Sequence, residues 1–275
     1  MIRLALTCCV FSLLAFSANA NCVACHAEHA AELLNQPHKA LITTDDPSAA
    51  CTSCHGDGTG HPFEPDKVFA FVGEALQRQN QTCTGCHTDQ HSTNGAHTRA
   101  GVACIDCHSV HGGKEKTALP AGFERIDEGS ANCAACHEDV LAEFAFNKRH
   151  RLQENSLTCV SCHNPHDRQF VPRLGSAKES VCTDCHADKD GPFLFEHDAS
   201  RVDGCIACHT PHGSANRHLL THQQTGELCY ACHAEVPQFH LSFAPVGDPR
   251  FGTNTVCTNC HVTIHGSNLD PGFLK

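Results

Sequence analysis

Ten Cys-x-x-Cys-His pentapeptides run through the chain. They are Cys22 and Cys25 with His26, Cys51 and Cys54 with His55, Cys83 and Cys86 with His87, Cys104 and Cys107 with His108, and Cys133 and Cys136 with His137. The others are Cys159 and Cys162 with His163, Cys182 and Cys185 with His186, Cys205 and Cys208 with His209, Cys229 and Cys232 with His233, and Cys257 and Cys260 with His261. Two thiols at this spacing form thioethers to the two vinyl groups of one porphyrin, and the adjacent imidazole then falls under the iron. Each pentapeptide therefore reads as a c-type haem attachment site. Of 22 cysteines only Cys8 and Cys9 lie outside the motifs, which leaves none for a disulfide framework. Zinc sites and redox dithiols also use Cys-x-x-Cys. Neither explains a histidine after every second cysteine.

If every iron is six-coordinate, the ten attachment histidines need ten distal partners. The motifs fall into five couples, each with one histidine between its two attachment sites and another shortly after the second. The unit is a two-haem module repeated five times. Its distal candidates are His38 and His61, His97 and His111, His150 and His166, His197 and His212, and His240 and His265, which leaves His29, His91, His218 and His222 over. The one methionine is Met1, so a potential-raising His/Met pair has no ligand in the mature chain. Bis-histidine ligation at ten irons, with low potentials, is the economical reading.

Chain reach constrains the pairing. The middle histidine follows the first attachment histidine by 7 to 13 residues, and even the shortest of these segments spans roughly 23–25 Å when extended, so it can serve its own module's first haem. His111, His166 and His212 come only three residues after an attachment histidine, on the same face of any helical turn, and must ligate a neighbouring haem. His29 and His91 also follow an attachment histidine closely, and either can displace one of the chosen ligands.

The elements that position these residues are short. Residues 1–20 read as a secretory signal peptide: Arg3, an apolar run from Leu4 to Phe16, and Ala18-Asn19-Ala20 as a cleavage pattern. Its removal takes Cys8 and Cys9 with it. No lipobox precedes a cysteine, and no second apolar stretch is long enough to span a membrane. The remaining chain of about 255 residues holds one haem for every 25 or so, too little polypeptide for an ordinary side-chain core around each porphyrin. The haems must supply most of the core, so the apo-protein should not fold. With 6% aromatic residues, no Trp, 13 Pro and 20 Gly, the fold class is mostly irregular with short α-helices and few or no strands. Two longer helices are expected, over 63–81 and 138–149. The junction near Phe146 divides the sequence into 21–146 and 147–275, each with five attachment sites.

Removal of Arg3 leaves 30 acidic against 18 basic residues, before any haem propionates are added. Such a surface does not seek nucleic acid. It favours redox partners with a basic face, or a polar, charged channel.

The ten sites, the paired segment CIACHTPHGSANRHLLTHQQTGELCYACH from Cys205 to His233, and the ending CTNCHVTIHGSNLDPGFLK from Cys257 resemble the periplasmic decahaem cytochromes of the MtrA/DmsE/PioA family. The resemblance covers the whole mature chain. It departs at CHGDGTGH, where His61 follows His55 by six residues rather than three or four. The resemblance implies an elongated, near-linear haem chain of two pentahaem halves, with bis-His iron, that enters an outer-membrane β-barrel porin. It further implies a periplasmic or inner-membrane-anchored cytochrome donor on one side and an extracellular multihaem cytochrome, reductase, metal oxide or ferrous iron on the other. The expected function is electron conduction without substrate chemistry. The alternatives are a soluble periplasmic shuttle with the same ligation, and a multihaem reductase, which needs an iron with an open position.

Overall fold

A computed structural model of the protein describes residues 21–42, 46, 48–61, 63–88, 95–112, 117–166, 181–234, 240 and 254–275. The expected signal peptide and His91 lie outside them. Among the described residues the longest helix is Leu76–Thr84, of 9 residues, and no helix is long and apolar enough to cross a membrane. The other α-helices run for 4 to 7 residues, and the rest of the described chain is 3₁₀ turns, a π turn at Ala199–Asp203, loops and four two-residue strands. The fold is mostly irregular with short helices.

Local hydrogen bonding explains why the pentapeptide works as an attachment unit. In nine motifs the histidine N–H donates to the first cysteine's carbonyl, from His26 to Cys22 at 2.8 Å through to His261 to Cys257 at 2.9 Å. That single turn puts positions one, four and five of the motif on one side. Asn21 caps the first turn by accepting from Ala24 N–H at 3.3 Å, and Asp127 caps Glu128–Ala134 by accepting from Ser130 N–H at 3.1 Å.

Buried polar side chains then join the two motifs of a module. Cys22 N–H donates to Ser48 Oγ at 3.1 Å, Cys104 N–H to Asn80 Oδ1 at 3.0 Å, and Cys159 N–H to Ser130 Oγ at 3.0 Å. Ser48, Asn80 and Ser130 each stand three residues before the first cysteine of the other motif. An apolar residue there would orphan a backbone N–H at the heart of the module.

The chain forms two compact units, residues 1–91 with 101–114, and residues 92–100 with 115–275. The boundary expected at 146/147 falls inside the second unit, where Lys148–Arg149 pairs antiparallel with Gly213–Ser214. A second pair of the same kind joins Phe195–Glu196 to Gly266–Ser267. The second unit also holds an apolar cluster of Phe123, Ile126, Ala134, Leu141 and Leu152. In the first unit the buried apolar side chains are Leu33, Ala50 and Ala103. No described side chain is less than 2% exposed, so side chains alone make only a small core.

Both longer helices are corrected. Over 63–81 there is a turn at Pro65–Lys67 and then Leu76–Thr84, because Gly73 sits at φ +87°, outside any right-handed helix. Over 138–149 the helix is Glu138–Glu143, and the chain then turns to pair its 148–149 strand with 213–214.

Candidate haem-binding sites

The cysteines of a module converge. The Cys22 and Cys51 thiols are near enough to perturb one another, as are Cys83 with Cys104, Cys133 with Cys159, and Cys229 with Cys257. None of the 20 motif cysteines is joined in a disulfide, and none is fully buried. Before thioether formation these contacts perturb the thiols. Burial, then Cys104, pushes Cys83 up to about 11, and burial, then Cys257, pushes Cys229 up to about 12. The Cys133 side chain, helped by Ser130, holds Cys159 down to about 6 against the effect of burial.

The histidine rings meet in pairs, one attachment and one distal residue in each. In the first unit the ring centroids are 6.2 Å apart for His26 and His61, 5.8 Å for His38 and His87, and 5.9 Å for His55 and His111. In the second unit they are 6.2 Å for His97 and His137, 6.3 Å for His150 and His186, and 6.0 Å for His163 and His212. They are 6.1 Å for His197 and His233, 6.3 Å for His209 and His265, and 6.3 Å for His240 and His261. Two imidazoles bound through one nitrogen each to opposite sides of one metal ion, with bonds of about 2 Å, have centroids roughly 6 Å apart. The nine pairs fit an iron between them. His108 and His166 each take part in further interactions.

The register differs from simple chain reach. His38, His97, His150 and His197 lie beside the first attachment histidine of the next module, and His240 beside the second of its own. The cause is visible after His137, where the helix and then the 148–149 strand, held by 213–214, carry His150 away from its own module. In the opposite sense, His111, His212 and His265 reach back to the second attachment histidine of the preceding module. His97 explains why residues 92–100 belong to the second unit: its ring lies against His137.

Hydrogen bonds at Nδ1 decide which nitrogen faces the partner ring. His55 donates to Phe69 O at 2.7 Å and His209 to His218 O at 2.8 Å, while His150 and His261 donate to the carbonyls of Pro211 and Gly272. His212 donates to Glu143 Oε2 at 2.9 Å. With Nδ1 occupied, Nε2 is the nitrogen left for a metal. Burial, more than any neighbouring charge, lowers the pKa of His111, His163, His197 and His265 and so favours the neutral, ligating form.

The glycine after a distal histidine lets a second segment approach. A Cβ on Gly213 would lie 2.0 Å from Glu143 O, and one on Gly266 would lie 2.1 Å from the Phe193 ring. Sequence reasoning missed these contacts and the role of Glu143. The repeat register contained the signal, since Glu32 and Glu143 each stand six residues after an attachment histidine. His29 lies 6.0 Å from His26, but three residues along the same turn it cannot face His26 across an iron. Its Nδ1 instead contacts Glu32 Oε2 at 3.1 Å, and its ring lies 5.2 Å from His111. His218 stands in a left-handed conformation at φ 55° and lends its carbonyl to His209, while His222 Nδ1 hydrogen-bonds the Thr221 hydroxyl.

Paired Cys-x-x-Cys-His motifs with paired histidine rings mark a multihaem c-type cytochrome, with covalently bound haem c and electron transfer as its work. Residues 197–238 match the family described as a doubled CXXCH motif, and residues 96–187 match cytochrome c3. The chain is 32% identical to the multihaem cytochrome MtrA of Shewanella baltica over 275 aligned residues, covering 92% of this chain and 80% of that protein. It is 26% identical to the cytochrome c-type protein NrfB of Escherichia coli over 144 residues, 47% of this chain and 70% of that protein. The chain belongs to the MtrA family of multihaem cytochromes.

Proposed function

We propose that the protein is a decahaem electron conduit. Ten haem c groups, each held by the two cysteines and the histidine of one motif and by a distal histidine, supply reversible one-electron chemistry. The polypeptide wraps them into an elongated, near-linear chain inside a β-barrel porin of the outer membrane. It links a periplasmic or inner-membrane-anchored cytochrome with an extracellular cytochrome, reductase, metal oxide or ferrous iron.

The observation that carries this reading is the interlocked register of the nine histidine pairs. Middle histidines mostly reach one module forward, and those after the second motif mostly reach one module back. Ligands exchanged between consecutive modules hold successive haems against one another, as conduction requires. His108 and His166 are assigned as iron ligands from their positions in the repeat. Two imidazoles at each iron leave no open position for a substrate, which favours a carrier over a reductase. A polar barrel lumen accepts an acidic, haem-filled rod without an apolar outer surface.

The test is gentle solubilisation of outer membranes, with this protein followed by haem staining. Co-elution with a large β-barrel subunit is the expected result. Recovery of all haem in the soluble periplasmic fraction would replace the conduit with a soluble shuttle. Intact mass is expected to show ten haems on the mature chain. Scattering is expected to give a radius of gyration clearly above the roughly 18 Å of a compact protein of this size.

A further inference from the structure

Glu143 offers a carboxylate to a histidine of the nine pairs, accepting from His212 Nδ1 at 2.9 Å. Other Nδ1 partners are the backbone carbonyls of Phe69, Pro211, His218 and Gly272. Three further contacts hold the Glu143–His212 geometry. The Phe144 ring lies 5.3 Å from the His212 ring, the Glu143 carbonyl packs where a Gly213 side chain would be, and the 148–149 and 213–214 strands pair. The carboxylate is therefore aimed at Nδ1 by the surrounding backbone.

A carboxylate behind a metal-bound imidazole raises the basicity of the ligand. Its negative charge favours the more positive, oxidised state of the site over the reduced state. A backbone carbonyl is a dipole without net charge and does this less. We propose that Glu143 is a positioning residue that holds the reduction potential of the His163–His212 site below that of the carbonyl-supported sites. This rests on the ligation reading above. The site then acts as a step in the conduit: one electron arrives from a neighbouring site, which is oxidised by one electron, with no bond made or broken.

The side chains of Glu143 and His212 are 48% and 27% exposed, so solvent and salt screen the effect. The expected size is roughly a tenfold change in the one-electron equilibrium constant, which corresponds to about 59 mV.

The test uses full-length holo-protein carrying Glu143→Gln, Glu143→Asp, Glu143→Ala or His212→Ala, in potentiometric titrations followed by absorbance and EPR. Gln keeps an acceptor but removes the charge, and is expected to raise one potential by about the tenfold step while changing one low-spin g-tensor. Asp is expected to restore much of the low potential. A Gln variant with every potential unchanged would overturn the inference, and so would a shift seen in Ala but not in Gln. His212→Ala is expected to create one high-spin haem. Its failure to do so would overturn the ligation reading, and the inference with it, whatever Glu143→Gln shows.

Discussion

Beside His55 lies His111, and beside His163 lies His212. Each distal ring is followed by a glycine, Gly112 or Gly213, and each glycine faces a glutamate six residues after an attachment histidine, Glu32 or Glu143. At the third position after that histidine the two sites part, with His29 in the first unit and Val140 in the second. His29 engages the Glu32 carboxylate, and His111 Nδ1 is left buried without a hydrogen bond of ordinary geometry, although the His29 backbone is close enough to favour its protonated form. With Val140 in that place, Glu143 goes to His212. One side chain thus decides whether the carboxylate serves the ligand or a bystander.

The largest expected effect would break both sites. His111→Ala and His212→Ala should each turn one low-spin haem high-spin, visible by EPR. A spectrum that stays wholly low-spin would remove the basis for comparing them.

Gly213→Ala comes next. Its Cβ would collide with a backbone oxygen, Glu143 O, at 2.0 Å, so a loss of roughly 1–3 kcal/mol is expected in thermal melts, together with a raised potential at the His163–His212 site. In Gly112→Ala the new Cβ would meet only the Glu32 side chain, at 3.4 Å, so the penalty comes from φ +131° and the potential at His111 should stay in place. Equal potential shifts in the two variants would mean that the glycines do not position the carboxylates.

His29→Val should make the first site resemble the second. The ligand atoms of Glu32, His29 and His111 already lie within 4.8 Å of one another, so a freed Glu32 can reach His111. The potential of the His55–His111 site is then expected to fall, by up to a tenfold change in equilibrium constant. A constant potential would show that Glu32 stays in solvent.

The smallest effect is common to both sites. Burial lowers the pKa of His111 and His163 below the usual 6.5. An imidazole bound to iron carries no proton at its ligating nitrogen, whereas a released one in the unfolded chain takes a proton up below about 6.5, so stability is full above that pH and is lost as pH falls below it. Urea titrations that follow the low-spin band should therefore give lower stability at pH 5.5 than at pH 8, with little change from pH 7 to pH 8.

Much of the site was legible because its chemistry is local. A histidine four residues after a cysteine closes one turn, and that turn orients both thiols and the imidazole wherever it occurs. The exclusion of His111 and His212 from their own haem is equally local, since three residues cannot round a porphyrin. Ser48, Asn80 and Ser130 also recur at a fixed offset from a cysteine, but their role appears only once the two motifs of a module touch. The helices expected over 63–81 and 138–149 failed where Gly73 and the 148–149 strand answered to backbone conformation and distant pairing.

The sequence by itself determined the family and the predominance of short elements, and it carries the Cys-x-x-Cys-His motifs and the histidines between them, because each depends on residue type and spacing within a few positions. The tertiary structure alone decided which ring faces which, that most middle histidines reach forward while those after the second motif mostly reach back, and that Glu143 serves His212 while Glu32 serves His29. Those choices join residues up to 69 positions apart. Chain length permits several such partners, and only strand pairing and the packing around each glycine select among them.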